Sequence, residues 1–223
     1  MRYRLGSSKY SVGSIILMIG DIHTYKTVLK PSEGILYKEK KSKFYGYAFP
    51  LQCEDDVRPL LKEIRIRHLT AGHVCYAWKI GLETIRYRVN DDGEPNNSAG
   101  MPIYGQIQSF EVTNILIAVA RIYGGTKLGV GGLISAYREA AKMSLTSTTI
   151  VNKAITWTFV LIFAYSEIDI VMKILKKGNY PIISQQLEIN CKMVVEVNKN
   201  KVEHFEKRFS AYHQISISKI KQS

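Results

Sequence analysis

Val112-Thr113-Asn114-Ile115-Leu116-Ile117-Ala118-Val119-Ala120-Arg121-Ile122 runs straight into Tyr123-Gly124-Gly125-Thr126-Lys127-Leu128-Gly129-Val130-Gly131-Gly132, and helical spacing follows from Leu133. The first stretch is almost wholly apolar and predicts a central strand. The third, with Leu133, Tyr137, Ala140 and Ala141 on one side, predicts a helix through Leu145. Between them lie five glycines and Lys127. Glycine loses more backbone entropy on folding than any other residue, so five together are costly for a core. Strand, glycine turn and helix start make the layout of an anion cradle, with backbone N–H groups turned inward and the helix N-terminus adding positive potential. Arg121, Tyr123, Gly124, Gly125, Lys127, Gly129, Gly131 and Gly132 are therefore candidates for contact with phosphate or nucleic acid. The competing reading is close helix–strand packing through positive-φ turns, because the spacing is neither a Walker A nor a G-x-G-x-x-G pattern.

Upstream, Asn90-Asp91-Asp92-Gly93-Glu94-Pro95 packs three carboxylates into a turn. Such carboxylates suit a hard cation or an acid/base pair. Asp-Gly is also ordinary turn chemistry, and Arg86, Arg88 or Arg121 are available as ion-pair partners. Ion pairing is the preferred reading, and no metal or other cofactor is expected. If the chain is an enzyme, its candidate catalytic residues are His73, Asp91, Asp92 and Glu94. His68 lies on an apolar helix face and reads as core. Cys75 sits among apolar residues and reads as an inert buried thiol.

The rest organises around these segments. Ile35–Tyr37 and Phe44–Leu51 read as a hairpin, Val57–His68 as a helix ended near Gly72, and Val74–Ile80 and Ile85–Val89 as strands. In the last, Ile85, Tyr87 and Val89 alternate with Arg86 and Arg88, so one face is basic. Pro102 suits the first turn of a short helix through Phe110. Thr146–Thr149 reads as a linker. Beyond it the order is strand, helix, two strands, helix, strand, the βαββαβ split motif. The fold class is α+β, with an extension at 1–17, a first domain at 18–146 and a ferredoxin-like domain at 150–223. Residues 1–17 are expected to be dispensable and Met18 to be the true start.

With 31 Lys+Arg against 19 Asp+Glu, the net charge of +12 favours an anionic partner such as RNA. Hydrophobic residues make up 46%, which excludes global disorder. The three cysteines, Cys53, Cys75 and Cys191, have no C-x-x-C spacing, so a disulfide framework and a zinc knuckle are excluded and a reducing, cytoplasmic setting is expected. Ile15–Ile19 is too short an apolar run to span a bilayer, and no membrane association is expected.

His73-Val74-Cys75-Tyr76-Ala77-Trp78, then Asp91–Pro95 with Ala99-Gly100 and Pro102, then Arg121 through Leu133, resemble the IMPACT/YigZ family over roughly Thr27 to Leu145. The remainder is similar to the small C-terminal domain of bacterial members. The resemblance implies a first domain with the fold of the second domain of ribosomal protein S five, including a left-handed crossover. It implies a second domain similar to the last domain of elongation factor G, and a role in translation regulation. The regulatory domain that precedes this module in eukaryotic members is expected to be absent. Asn96-Asn97-Ser98 departs from the Ser-Gly-Thr type of run associated with the family, so a loop of different shape is expected there. The function expected is binding of RNA or the ribosome through backbone and shape, with Arg86, Arg88, Arg121, Lys127 and the glycine loop on phosphate. The alternatives are an enzyme built on the acidic turn and His73, and a protein-interaction module.

Overall fold

The computed structural model describes residues 23–220, and these form eleven strands and five α-helices. The expected extension at 1–17 and the start at Met18 lie outside the described residues. The first sheet has strand order β2-β3-β6-β4-β5, formed by β2 (Ile35–Glu39), β3 (Ser42–Pro50), β4 (His73–Ile80), β5 (Arg86–Asn90) and β6 (Ile115–Ile122). Every neighbouring pair is antiparallel. β6 sits at the centre, as its apolar run requires, with all but its last residue buried.

Side chains alternate across the sheet, so each face has its own core. Val74, Trp78, Leu116, Ala118 and Ala120 pack on one face beneath Val57 and Ile64 of α1 (Val57–Arg67). Cys75, Ala77, Ile115, Ile117 and Val119 pack on the other beneath α2 (Gly100–Ser109) and α3 (Gly129–Thr146). The connection β3–α1–β4 joins parallel strands across β6 on the first face. The connection β5–α2–β6 joins parallel strands across β4 on the second. Turning the sheet by half a revolution about its normal makes the two strand paths coincide, while their helices remain on opposite faces. The crossovers therefore have opposite hands, and one is left-handed, against the usual right-handed rule.

β1 (Thr24–Val28) and β7 (Ile150–Ala154) pair with each other in a two-stranded ladder. Neither is predicted by the sequence, because TYKTV and IVNKA are short and half polar. The stretch Thr146–Thr149 is not a free linker: α3 runs to Thr146, the Thr149 carbonyl accepts from the Leu29 amide, and the Thr148 hydroxyl donates to the Lys30 carbonyl. The second sheet therefore starts only at Thr156, after the β1–β7 ladder. It contains β8 (Thr156–Ala164), β9 (Ile182–Gln186), β10 (Asn190–Asn198) and β11 (Ser216–Ile220) in the order β11-β8-β10-β9. α4 (Ile168–Gly178) and α5 (Val202–Phe209) cover its inner face, where Phe159, Leu161 and Phe163 meet Met193, Val195 and Phe205. None of the described helices is long and apolar enough to cross a membrane.

Candidate functional site: the cleft at the start of α3

The acidic turn is wired into the fold, one carboxylate at a time. Asp91 Oδ1 accepts from the amides of Ala99 and Gly100 at 2.9 and 2.8 Å, and Oδ2 accepts from Asn97 at 2.9 Å. It thereby satisfies N–H groups that the start of α2 would leave orphaned. Both carboxylate oxygens of Asp92 accept from Nη2 of Arg65 on α1, at 2.8 and 2.9 Å, and Oδ2 also accepts from the Val74 amide at 2.6 Å. Arg65 was not among the partners expected from the sequence. It comes from another element, 27 positions away. Glu94 is buried, and its Oε1 accepts from both Arg121 and the Tyr137 hydroxyl at 2.7 Å. Among the described residues no group of three or more potential ligands is placed to hold a metal.

Asn97 stands in the middle of the run that departs from the family pattern. It takes φ +61°, a left-handed conformation that asparagine tolerates better than most residues. Cys75 lies on the α2–α3 face with its sulfur 3.0 Å from the Asp91 carbonyl and 3.3 Å from the Tyr137 hydroxyl. Burial pushes the pKa of the Cys75 thiol well above its ordinary range and does the same to Tyr137, so both stay neutral donors.

His73 and Arg121 are paired residues on neighbouring strands, so their side chains lie side by side on the α2–α3 face. His73 Nδ1 is 2.7 Å from the Asp92 carbonyl and donates to it, which makes Nε2 the nitrogen available to a ligand. Arg121 is less than a tenth exposed, and its Nε has no partner among the described residues. Its guanidinium also lies 5.6 Å from the ring centres of Phe44 and Tyr123. His73, Arg121 and Tyr123, with Glu94, Lys127, Gly129, Val130 and Leu133, line a cleft of about 480 Å³, which Gly124, Gly125, Gly131 and Gly132 do not line. A hollow of about 540 Å³ between β1, the β4–β5 turn and Lys199 contains none of the motif residues.

The helix begins at Gly129, four residues before Leu133, so Gly129, Gly131 and Gly132 belong to its first turn and not to a loop. The glycines have different reasons. A Cβ on Gly124 would stand 2.0 Å from the Lys41 backbone, so this residue serves packing against the β2–β3 hairpin. Gly125 and Gly129 have φ of +84° and +72°, which strain any other residue. Gly131 has neither reason: it is exposed, without positive φ, and a Cβ there would meet nothing within 4 Å among the described residues. The helix start carries no capping side chain and no acid in its first turn. Its free amides thus remain open to an anion.

Arg86 and Arg88 do not join this cleft. They pair in register with Ile80 and Trp78, which pack on the α1 face, so both arginines lie across the sheet from Arg121 and Lys127. Arg86 is further engaged by Glu54 at 2.6 Å. Alternation in the sequence shows that the two arginines share a face. Only strand register shows that it is the other one. His68 also lies on that side, stacked on Tyr45 and bonded to the Tyr47 hydroxyl at 2.6 Å. Burial lowers its pKa, as expected of a histidine held neutral.

Residues 40–145 match the Impact N-terminal domain family. An IMPACT family member of Haemophilus influenzae is 29% identical over 181 residues, covering 79% of this chain and 88% of the relative. YigZ of Escherichia coli is 27% identical over 180 residues, covering 80% and 88%. YvyE of Bacillus subtilis is 32% identical over 132 residues, covering 59% and 60%. A crystal structure described as a hypothetical protein superposes with a TM-score of 0.68 at 23% identity, covering 91% of this chain and all of the other, which establishes a shared fold. Residues 40–145 are thus an Impact N-terminal domain, and the chain is similar to bacterial, YigZ-like IMPACT family members over about four fifths of its length.

Proposed function

We propose that this protein binds RNA phosphate at the cleft beside α3, in the context of the ribosome, and thereby modulates translation. The observation that carries the reading is the uncapped α3 terminus, opening beside a buried arginine with an unpartnered N–H. Backbone amides, Arg121, His73 and Lys127 converge there. An anion would satisfy donors that the fold leaves unused. The net charge of +12 favours the same class of partner, and the role in translation regulation that the resemblance implies agrees with it. Likeness of the two units to the second domain of ribosomal protein S five and the last domain of elongation factor G belongs to this proposal, and gives the second sheet a docking role. A catalytic reading has only His73 to draw on, because each carboxylate of the turn is already engaged by protein donors.

Co-sedimentation with ribosomes across a salt series tests this. Binding is expected to weaken steeply with salt as phosphate-bound cations release counterions. Lys127→Ala flattens the slope by about one unit. Gly131→Glu places an acid at the helix start, which favours the helix but repels phosphate, so binding falls while stability does not. Arg86→Ala and Arg88→Ala, across the sheet, have smaller effects than Lys127→Ala. Binding indifferent to salt, or absent at low salt, overturns the proposal.

A further inference from the structure

The cleft is not lined as a purely polar phosphate seat would be. Pro95, Tyr123, Leu128, Val130 and Leu133 add apolar surface to the same lining as Arg121, His73 and Lys127. Val130, in the first turn of α3, and Tyr123, just past the end of β6, are more than half exposed, and both line the cleft. An anion alone needs no such surface, and water-exposed apolar area beside open donors points to a ligand with one anionic end and one flat apolar body. The Tyr123 ring already has the Arg121 guanidinium 5.6 Å from its centre, an arrangement that holds the ring in place from one side. Arg121 is itself fixed by Glu94, which Tyr137 fixes in turn. The aromatic surface is therefore positioned by a buried chain of contacts, although the ring is exposed.

We infer that the cleft seats a single unpaired nucleotide, with its phosphate at the α3 amides and Lys127 and its base stacked on Tyr123 against Val130. The inference rests on the phosphate-binding reading of the same cleft and adds the base to it. Every base has a π-face, and stacking on an aromatic side chain tolerates sequence. Base-paired RNA keeps its bases in the helix stack, so the seat discriminates for single strands.

Titration of the full chain with inorganic phosphate, ribose 5-phosphate, AMP and a five-residue single-stranded adenylate, followed by NMR shifts, tests the base seat apart from the phosphate seat. AMP is expected to bind about tenfold tighter than ribose 5-phosphate, the order expected for one stacked base. Tyr123→Ala should erase that difference while retaining phosphate binding, and Tyr123→Phe should restore it. The pentanucleotide binding tighter than AMP identifies an RNA strand as the source, and equal affinity identifies the free nucleotide. AMP and ribose 5-phosphate binding equally well, or Tyr123→Ala leaving the difference intact, overturns the base seat and spares the phosphate reading. No binding of any of the four overturns both.

Discussion

The acidic turn and the glycine segment sit against each other, and they use their polar groups in opposite ways. In the turn, Asp91, Asp92 and Glu94 are each engaged by protein donors: three backbone amides, an arginine with an amide, and an arginine with a tyrosine. In the glycine segment, the start of α3 has no cap, Gly131 has no steric or conformational reason to be glycine, and Arg121 keeps an N–H free. Two runs with equally unusual composition therefore have different roles. The carboxylates stabilise the scaffold, and the glycine segment leaves a helix start without a side-chain cap, the feature on which the proposed function rests. Composition alone does not distinguish these cases; the count of satisfied donors and acceptors does.

The largest effect expected is at the link between the two regions. Glu94→Ala leaves Arg121 charged, buried and unpaired, and should cost about 3–5 kcal/mol in urea unfolding. A loss below about 1 kcal/mol would mean that Glu94 is not structural, and the contrast would fail. Asp91→Ala removes three charge-assisted bonds at the start of α2. It should cost about 2–3 kcal/mol, seen as a lower urea midpoint.

Gly131→Ala sharpens the comparison from the other side. With open space and no positive φ at that position, alanine should raise stability by about 0.5–1 kcal/mol, in contrast to a substitution at Gly124. Destabilisation there would return Gly131 to a packing role. The smallest effect expected is none: Mg²⁺ or Mn²⁺ should not shift the unfolding midpoint, because the carboxylates of the turn are already engaged. A saturable shift that disappears in Asp92→Asn would reverse the assignment and place a cation in the turn.

Acid sensitivity should originate away from both regions. The folded-state pKa of His68 is lowered by burial, so the unfolded chain binds its proton more readily. The stability from this neutral histidine is fully present above its unfolded pKa of about 6.5 and is lost as pH falls below it. Unfolding midpoints measured from pH 7.5 to 5 should decline, and His68→Gln should flatten that decline.

Much of this was legible from local pattern. The strand–glycine–helix passage, the β2–β3 hairpin, α1 and the order βαββαβ all follow from periodicities of two and 3.6 residues and from turn chemistry acting over a few positions. β1 and β7 escaped because their pairing partners lie more than a hundred residues apart and neither strand carries an apolar run. Pairing of Glu94 with Arg121 was among the combinations the sequence offered; Arg65 for Asp92 was not, since α1 reaches the turn only by crossing the sheet face.

The sequence by itself determined the kinds of element, most of their order, the family and the two segments of unusual chemistry, because each is encoded within a short stretch of chain. Only the tertiary structure decided which glycines serve packing and which face a cleft. It also decided that Arg86 and Arg88 lie across the sheet from Lys127, and that His73 stands beside Arg121. Those outcomes depend on register between strands distant in sequence, where a slip of one residue exchanges the two faces.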